Sequence, residues 1–279
     1  DSPFCRLRAI FPRRGGSLSS KGEPLAVHAN FISLPRPLPL GEVDLRSKDG
    51  EGEPPSGKIK ENIMKKVIEV PFVAGLCDKP LSQVSEILEA QGVRQAIDCV
   101  DWPNEFPYKP ITSFYIARDK ECLYINYFVK GNYLRAVNST DNSPVWEDSC
   151  VEFFVQIPGE KYYYNFEFNC IGTALAARRT GREDAEHFSA DKMAKIKRYS
   201  SVGNKPFCEM EGLFSWNLLV AIPFELIGLD GGQLPESLSA NFYKCADGSS
   251  LPHYLSWSPI PIEKPDFHRP DYFGELRFR

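Results

Sequence analysis

The sequence has no run approaching the roughly 20 consecutive apolar residues that a membrane-spanning helix needs. Nor has it a large excess of one charge: the formal net charge is -4 over 279 residues. That argues against the basic face that nucleic acid demands. None of the eight cysteines forms a Cys-x-x-Cys pair or stands with histidine at zinc spacing, so a zinc-finger-like framework has no ligands here. Gly-x-Ser-x-Gly, P-loop and Gly-x-Gly-x-x-Gly signatures are also missing. Gly228-Leu-Asp-Gly-Gly-Gln233 reads as a turn, not a phosphate cradle. Methionine is scarce: there are three, and the first is Met64.

What is present divides at that methionine. Residues 1–63 are dominated by Pro, Gly, Ser and charge, as in "LPRPLPLGE" and "GEGEPPSG", and no hydrophobic period lasts long enough to bury a face. The expectation is a disordered or non-native leader, with the natural start at Met64; a genuine disordered tail is the alternative. After Met64 comes no convincing signal peptide, because Glu69 and Pro71 interrupt the short apolar stretch. Several cysteines lie inside strand-like runs, as buried thiols do, and the eight are expected to be mostly free thiols. Both readings lean towards the cytoplasm; a mis-set start leaves a periplasmic or secreted location open.

Residues 64–279 read as one mostly β domain. Leu81, Val84, Ile87 and Leu88 make a single helical stripe within Pro80–Val93, with Gly92 as a stop. Beyond it, period-2 segments dominate. Thr112–Arg118 and Glu121–Gly131 flank Asp119-Lys120 as a hairpin. Further strands are expected at Ser149–Ile157, Tyr162–Gly172, Ser215–Phe224, Ser237–Cys245, Tyr254–Ser258 and Gly274–Phe278. Roughly eight to ten short strands from residue 110 onward, without βαβ alternation, predict a β-sandwich of jelly-roll or immunoglobulin-like type with one or two short helices. Gly181–Asp191 reads as a surface loop or short helix.

Alternate side chains of a strand go to opposite faces. If Val151, Phe153, Val155 and Ile157 are core, the other face of that strand carries Glu152, Phe154 and Gln156. If Phe166 and Phe168 are core, the next strand turns Tyr163, Asn165, Glu167 and Asn169 the same way. As antiparallel neighbours, the two make a polar sheet surface rich in amides and carboxylates. Such groups offer the paired donors and acceptors that sugar hydroxyls need. Trp146, in the turn-rich loop just before, is placed to be an apolar stacking plate. The bland reading is a solvated sheet face with Trp146 in the core.

In order along the chain, "PVWEDSCVEFFV", "YYYNFEFNCIG", "WNLLVAIPF", "ANFYKC", "YLSWSP" and "PDFHRPDYFGELRF" resemble the family 9 carbohydrate-binding modules, in particular the family-9-like branch of free-standing proteins. The resemblance spans about residues 70–279. It implies a β-sandwich related to the DOMON-like sandwiches, holding a glycan end between two tryptophans, in a family that accompanies xylan-degrading enzymes. It implies that Trp146 is one stacking plate and Glu152 a hydroxyl ligand. Glu167 falls where the family places an arginine, and Phe267 or His268 where it places the second tryptophan. Trp257 matches a structural tryptophan.

The expected site is therefore Trp146, Glu152, Asn165, Glu167 and Asn169, closed by Phe267, His268 and Arg269. Its expected partner is an oligosaccharide or polysaccharide of the xylan or glucan kind, bound without catalysis; nucleic acid and membrane are not expected, and nothing specifies an oligomeric state. Glu152 and Glu167 on adjacent strands keep a glycoside hydrolase open as the alternative. A haem-binding sandwich is a third class, with Met193, Met210, His187, His253 and His268 as scattered possible ligands. No cofactor is expected beyond a structural calcium, for which Asp141 and Asp148 lie in an oxygen-rich loop.

Overall fold

The hairpin turn at Asp119 shows how local chemistry starts the fold. Its carboxylate accepts from the backbone N–H groups of Glu121 and Cys122, both at 2.8 Å, and from the Tyr124 hydroxyl at 2.9 Å. A short acidic side chain thus satisfies donors that the tight reversal leaves without backbone partners. The computed structural model describes residues 65–278; the expected leader over 1–63 and the start at Met64 lie outside the described residues. In chain order the elements are β1 (Val67–Val70), α1 (Leu81–Gln91), β2 (Val93–Ala96), β3 (Ile111–Arg118), β4 (Cys122–Ala136), β5 (Cys150–Gln156), β6 (Tyr163–Asn169), β7 (Ala174–Arg179), β8 (Ala185–His187), α2 (Ala190–Lys195), β9 (Lys197–Ser200), β10 (Phe207–Pro223), β11 (Ser237–Cys245), β12 (Tyr254–Ser256) and β13 (Gly274–Phe278).

The strands form two sheets, as the periodicity predicts. One runs β1-β13-β11-β5-β6-β7-β8, with β12 paired to β11; the other runs β2-β3-β4-β10-β9. Their inner faces meet in the main core. Val151, Phe153, Phe166, Phe168, Phe242 and Leu276 come from the first sheet, and Phe114, Ile125, Tyr127, Trp216, Leu218 and Val220 from the second. Phe114 stacks on Phe242 across the sheets at 4.0 Å between ring centroids. Trp257 is fully buried against Phe242, its indole nitrogen donating to Gln95, in keeping with the structural role that the resemblance implies.

Two outer faces are also covered. α1 lays Val84 and Leu88 on Ala117, Tyr124, Leu219 and Ala221 of the second sheet, so the predicted helical stripe finds its partner. The outer face of the first sheet departs from expectation. It is not an open polar surface: Phe154, Tyr163, Leu175 and Tyr243 pack under Trp102, Ile260, Phe267 and Phe273. The long segment between β12 and β13 runs across this face and buries it, and Asn165 and Asn169 are buried with it. Period 2 separates the two sides of a strand, but does not say which of them a distant segment will cover.

The strands that pattern reading passes over are β1, β2, β7, β8 and β9. Ala174–Arg179 carries three alanines, poor strand formers, yet pairs along its length with β6. The expected loop at Gly181–Asp191 holds β8 and the start of α2.

β13 begins at Gly274 because nothing larger fits. A Cβ there would lie 2.4 Å from Trp257 Cζ3 and 2.7 Å from the Lys66 carbonyl oxygen. Gly274→Ala is expected to lower stability by about 1–3 kcal/mol, since the buried indole has no room to move away. A urea midpoint equal to that of the parent would contradict the packing described.

Candidate functional site

The Trp146 loop is fastened from below by a buried carboxylate. Asp148, fully buried, accepts from the backbone N–H groups of Val137 and Asn138 at 3.0 Å each and from Asn169 Nδ2 at 2.9 Å, with Arg135 Nε 3.3 Å away. Asn169 Nδ2 also donates to the Asn138 carbonyl, and Asn138 Nδ2 to the Pro144 carbonyl. The ends of β4 and β6 are thereby tied to the loop. From above, the N–H groups of Asp247 and Gly248 donate to the carbonyls of Trp146 and Glu147 at 3.0 Å each. Held at both sides, the single 3₁₀ turn Val145–Glu147 buries Val145 and leaves Trp146 37% exposed.

That indole stands at the rim of a cavity of about 390 Å³, a size typical of small-ligand sites. The floor comes from β5 and β6, where Glu152 lies directly opposite Glu167. Both side chains are buried yet line the cavity. Cys245 Sγ donates to Glu152 Oε1 at 3.0 Å, and Asn165 Nδ2 donates to Glu167 Oε1 at 2.7 Å. Arg179 Nε in turn donates to Asn165 Oδ1 at 2.9 Å, so a guanidinium at the end of β7 supports the floor through one amide. Glu167 Oε2 is buried without a protein partner. An unpaired buried acceptor costs free energy unless a donor arrives, and it belongs to a residue that lines the cavity.

The other walls are Arg182 and Glu183 from the β7–β8 connection, Asp247 and Tyr254, and Pro265–His268. Phe267 contributes its edge, because its ring is stacked on Tyr243 at 4.1 Å and an interplanar angle of 7°. His268 Nδ1 pairs with the Tyr163 hydroxyl at 2.8 Å.

The expected residues therefore divide. Trp146, Glu152, Glu167, Phe267 and His268 meet in one cavity. Asn165 lies behind its floor as a link. Asn169 belongs to the Asp148 anchor, away from the cavity wall. Arg269 turns out of the site, pairing with Asp271 and lying over the Tyr272 ring. Arg179, Arg182, Asp247, Tyr254 and Asp266 were not foreseen. They sit at strand ends or in the connections between strands, and only the turn formers of "CADGSS" hinted that a loop edge lay there.

Asp141 and Asp148, the expected calcium residues, serve separate protein networks: Asp141 pairs with Arg198 and caps the Ala174 N–H. Among the described residues one close group of metal-type donors occurs, Cys150, Glu152 and Cys245, within 4.8 Å of one another. Within it Cys245 Sγ donates to Glu152 Oε1. Cys77, Cys99, Cys122, Cys150, Cys170 and Cys245 are free thiols, while Cys208 is disulfide-bonded.

Desolvation is the main cause of every acid shift in the cavity. It raises Glu152 well above the ordinary carboxylate value, with Glu167 adding like-charge repulsion. It raises Glu167 to about 7, against the opposing pull of Asn165 and Arg179. Asp247, at the cavity edge, is pushed up to about 6. Burial, then Arg179 and Arg182, hold His268 down at about 3, so its imidazole is neutral at pH 7.

A candidate carbohydrate-binding protein from Bacteroides uniformis is 39% identical in sequence, with a TM-score of 0.73 over 77% of this chain and 100% of that one. Two structures of a family 9 carbohydrate-binding module from Caldicellulosiruptor kristjanssonii, in complex with glucose and with cellotriose, are 13% and 12% identical. Their TM-scores are 0.48 and 0.46; each covers 77% of this chain, and 96% and 94% of its own. Among curated proteins no match was found. Sandwich and cavity together define a β-sandwich module with an acid-floored cavity of small-ligand size. The family model for carbohydrate-binding family 9 matches residues 82–278, and the chain belongs to that family.

Two outcomes follow from this geometry. Asp148→Ala leaves Arg135 and two backbone donors unanswered, so a loss of about 3–5 kcal/mol is expected, with red-shifted Trp fluorescence as the loop loosens; an unchanged urea midpoint would contradict the anchor. For Glu167, a folded value above the ordinary 4.5 means that its contribution to stability is complete at low pH. It is lost as pH rises through about 7. The expected loss between pH 5 and 8 is on the order of 3 kcal/mol, and Glu167→Gln should flatten that part of the profile in thermal melts.

Proposed function

We propose that this chain binds sugars in the Trp146 cavity without cleaving them, and that its ligands are ends or short pieces of polysaccharide of the xylan or glucan kind. The observation that carries the reading is one cavity lined by Trp146, Glu152 and Glu167, the last with a carboxyl oxygen that has no protein partner. A ligand hydroxyl supplies the missing donor. Trp146 offers an apolar face for the C–H side of a pyranose, and the Asp148 anchor holds that face in place before any ligand arrives. Such pre-ordering lowers the entropy lost on binding.

Hydrolysis is the second reading, kept because two carboxyls share the floor. A glycosidase needs its acids to flank the scissile bond. Glu152 and Glu167 rise side by side from one face of one sheet, so they approach a ligand from the same side.

Isothermal titration against a panel of mono- and oligosaccharides tests the proposal. Binding is expected with at least one xylo- or gluco-oligosaccharide. Trp146→Ala should weaken it by roughly 1–3 kcal/mol, the worth of a large ring's buried area. No heat with any sugar would refute the reading; turnover of those oligosaccharides that disappears with either glutamate would replace it by the hydrolytic one.

A further inference from the structure

The charges around the cavity are unequal. Carboxylates come from Glu152 and Glu167 on the floor, Asp247 at the edge, and Glu183 and Asp266 on the walls. Two guanidiniums answer them. Arg179 reaches Glu167 only through Asn165, and its Nη1 is turned to the Arg182 carbonyl. Arg182 is exposed at the mouth beside Glu183. His268 is neutral at pH 7. Lys244, the nearest buried ammonium, donates to the Cys245 carbonyl and to His253.

The deepest groups are acceptors whose donors are already spent. Cys245 serves Glu152, Asn165 serves Glu167, and Glu167 Oε2 has no protein partner. A neutral sugar would bring one donor per hydroxyl and leave the paired glutamates to be neutralised by protons. An ammonium brings up to three donors and the compensating charge, and charge-assisted bonds are about twice as strong as neutral ones.

We infer that the preferred ligand is a cationic amino sugar, a hexosamine ring with a free amine seated between Glu152 and Glu167; this rests on the sugar-binding reading above. The floor's protonated carboxyls give up a proton to solvent as the ammonium takes its place, so binding and proton release are linked.

The experiment is isothermal titration at pH 7 with glucosamine, N-acetylglucosamine and glucose, in two buffers of different ionisation heat. Glucosamine is expected to bind about tenfold tighter than glucose or more, with net proton release, and N-acetylglucosamine to follow glucose. The glucosamine advantage should shrink with added salt and disappear in Glu167→Gln, whose folding is checked by its thermal melt. Glucose binding as tightly as glucosamine, or an advantage that survives Glu167→Gln, overturns the inference and leaves sugar binding standing. Absence of heat with all three and with neutral oligosaccharides overturns both.

Discussion

The pairing of β5 with β6 is the constraint on which core and cavity both depend. Phe153 stands opposite Phe166 and Val151 opposite Phe168 on one side, while Glu152 stands opposite Glu167 on the other. A slip of one residue would send phenylalanines into the cavity and glutamates into the core, because side chains alternate with period 2. The hydrophobic cost of that exchange holds the register, and the register places two carboxyls side by side. The acidic floor is thus maintained by the aromatic stack behind it, including Phe153 and Phe166 at 6.2 Å.

Buried acids are costly unless something answers them. Here the answer is partial and layered: a thiol for Glu152, an amide for Glu167, and a guanidinium reached through that amide. The residual demand is concentrated on one oxygen. That distinguishes this floor from an ordinary buried polar network, where every member is satisfied internally. The chain's family is carbohydrate-binding family 9, and under the proposed function a polyhydroxylated ring would occupy the cavity above this floor. The Trp146 turn, tied down through Asp148 and through the β11–β12 loop, sets an indole at the edge of that cavity.

Much of this was legible beforehand because it depends on short-range rules. The α1 stripe, the β3–β4 hairpin around Asp119, and the separation of Val151 and Phe153 from Glu152 all follow from periodicity and turn chemistry within a dozen residues. The assignment of Asn169 to the ligand was not sustained for the opposite reason. Its face was read correctly, but its position at the end of β6 puts it against the Asp148 anchor. Arg269 likewise lies one residue beyond the cavity wall, drawn off by Asp271. Arg179 escaped notice because β7 is alanine-rich and becomes a strand only through its neighbour β6.

By itself, the sequence determined which side chains share a face, since alternation is a property of the extended backbone, and so determined that Glu152, Asn165 and Glu167 would stand together. Only the tertiary structure decided that this face is roofed by the segment before β13, leaving one cavity instead of an open surface. It also decided that Arg179, Asp247 and Asp266 join the cavity. These outcomes depend on contacts between residues far apart along the chain, for which no local pattern exists.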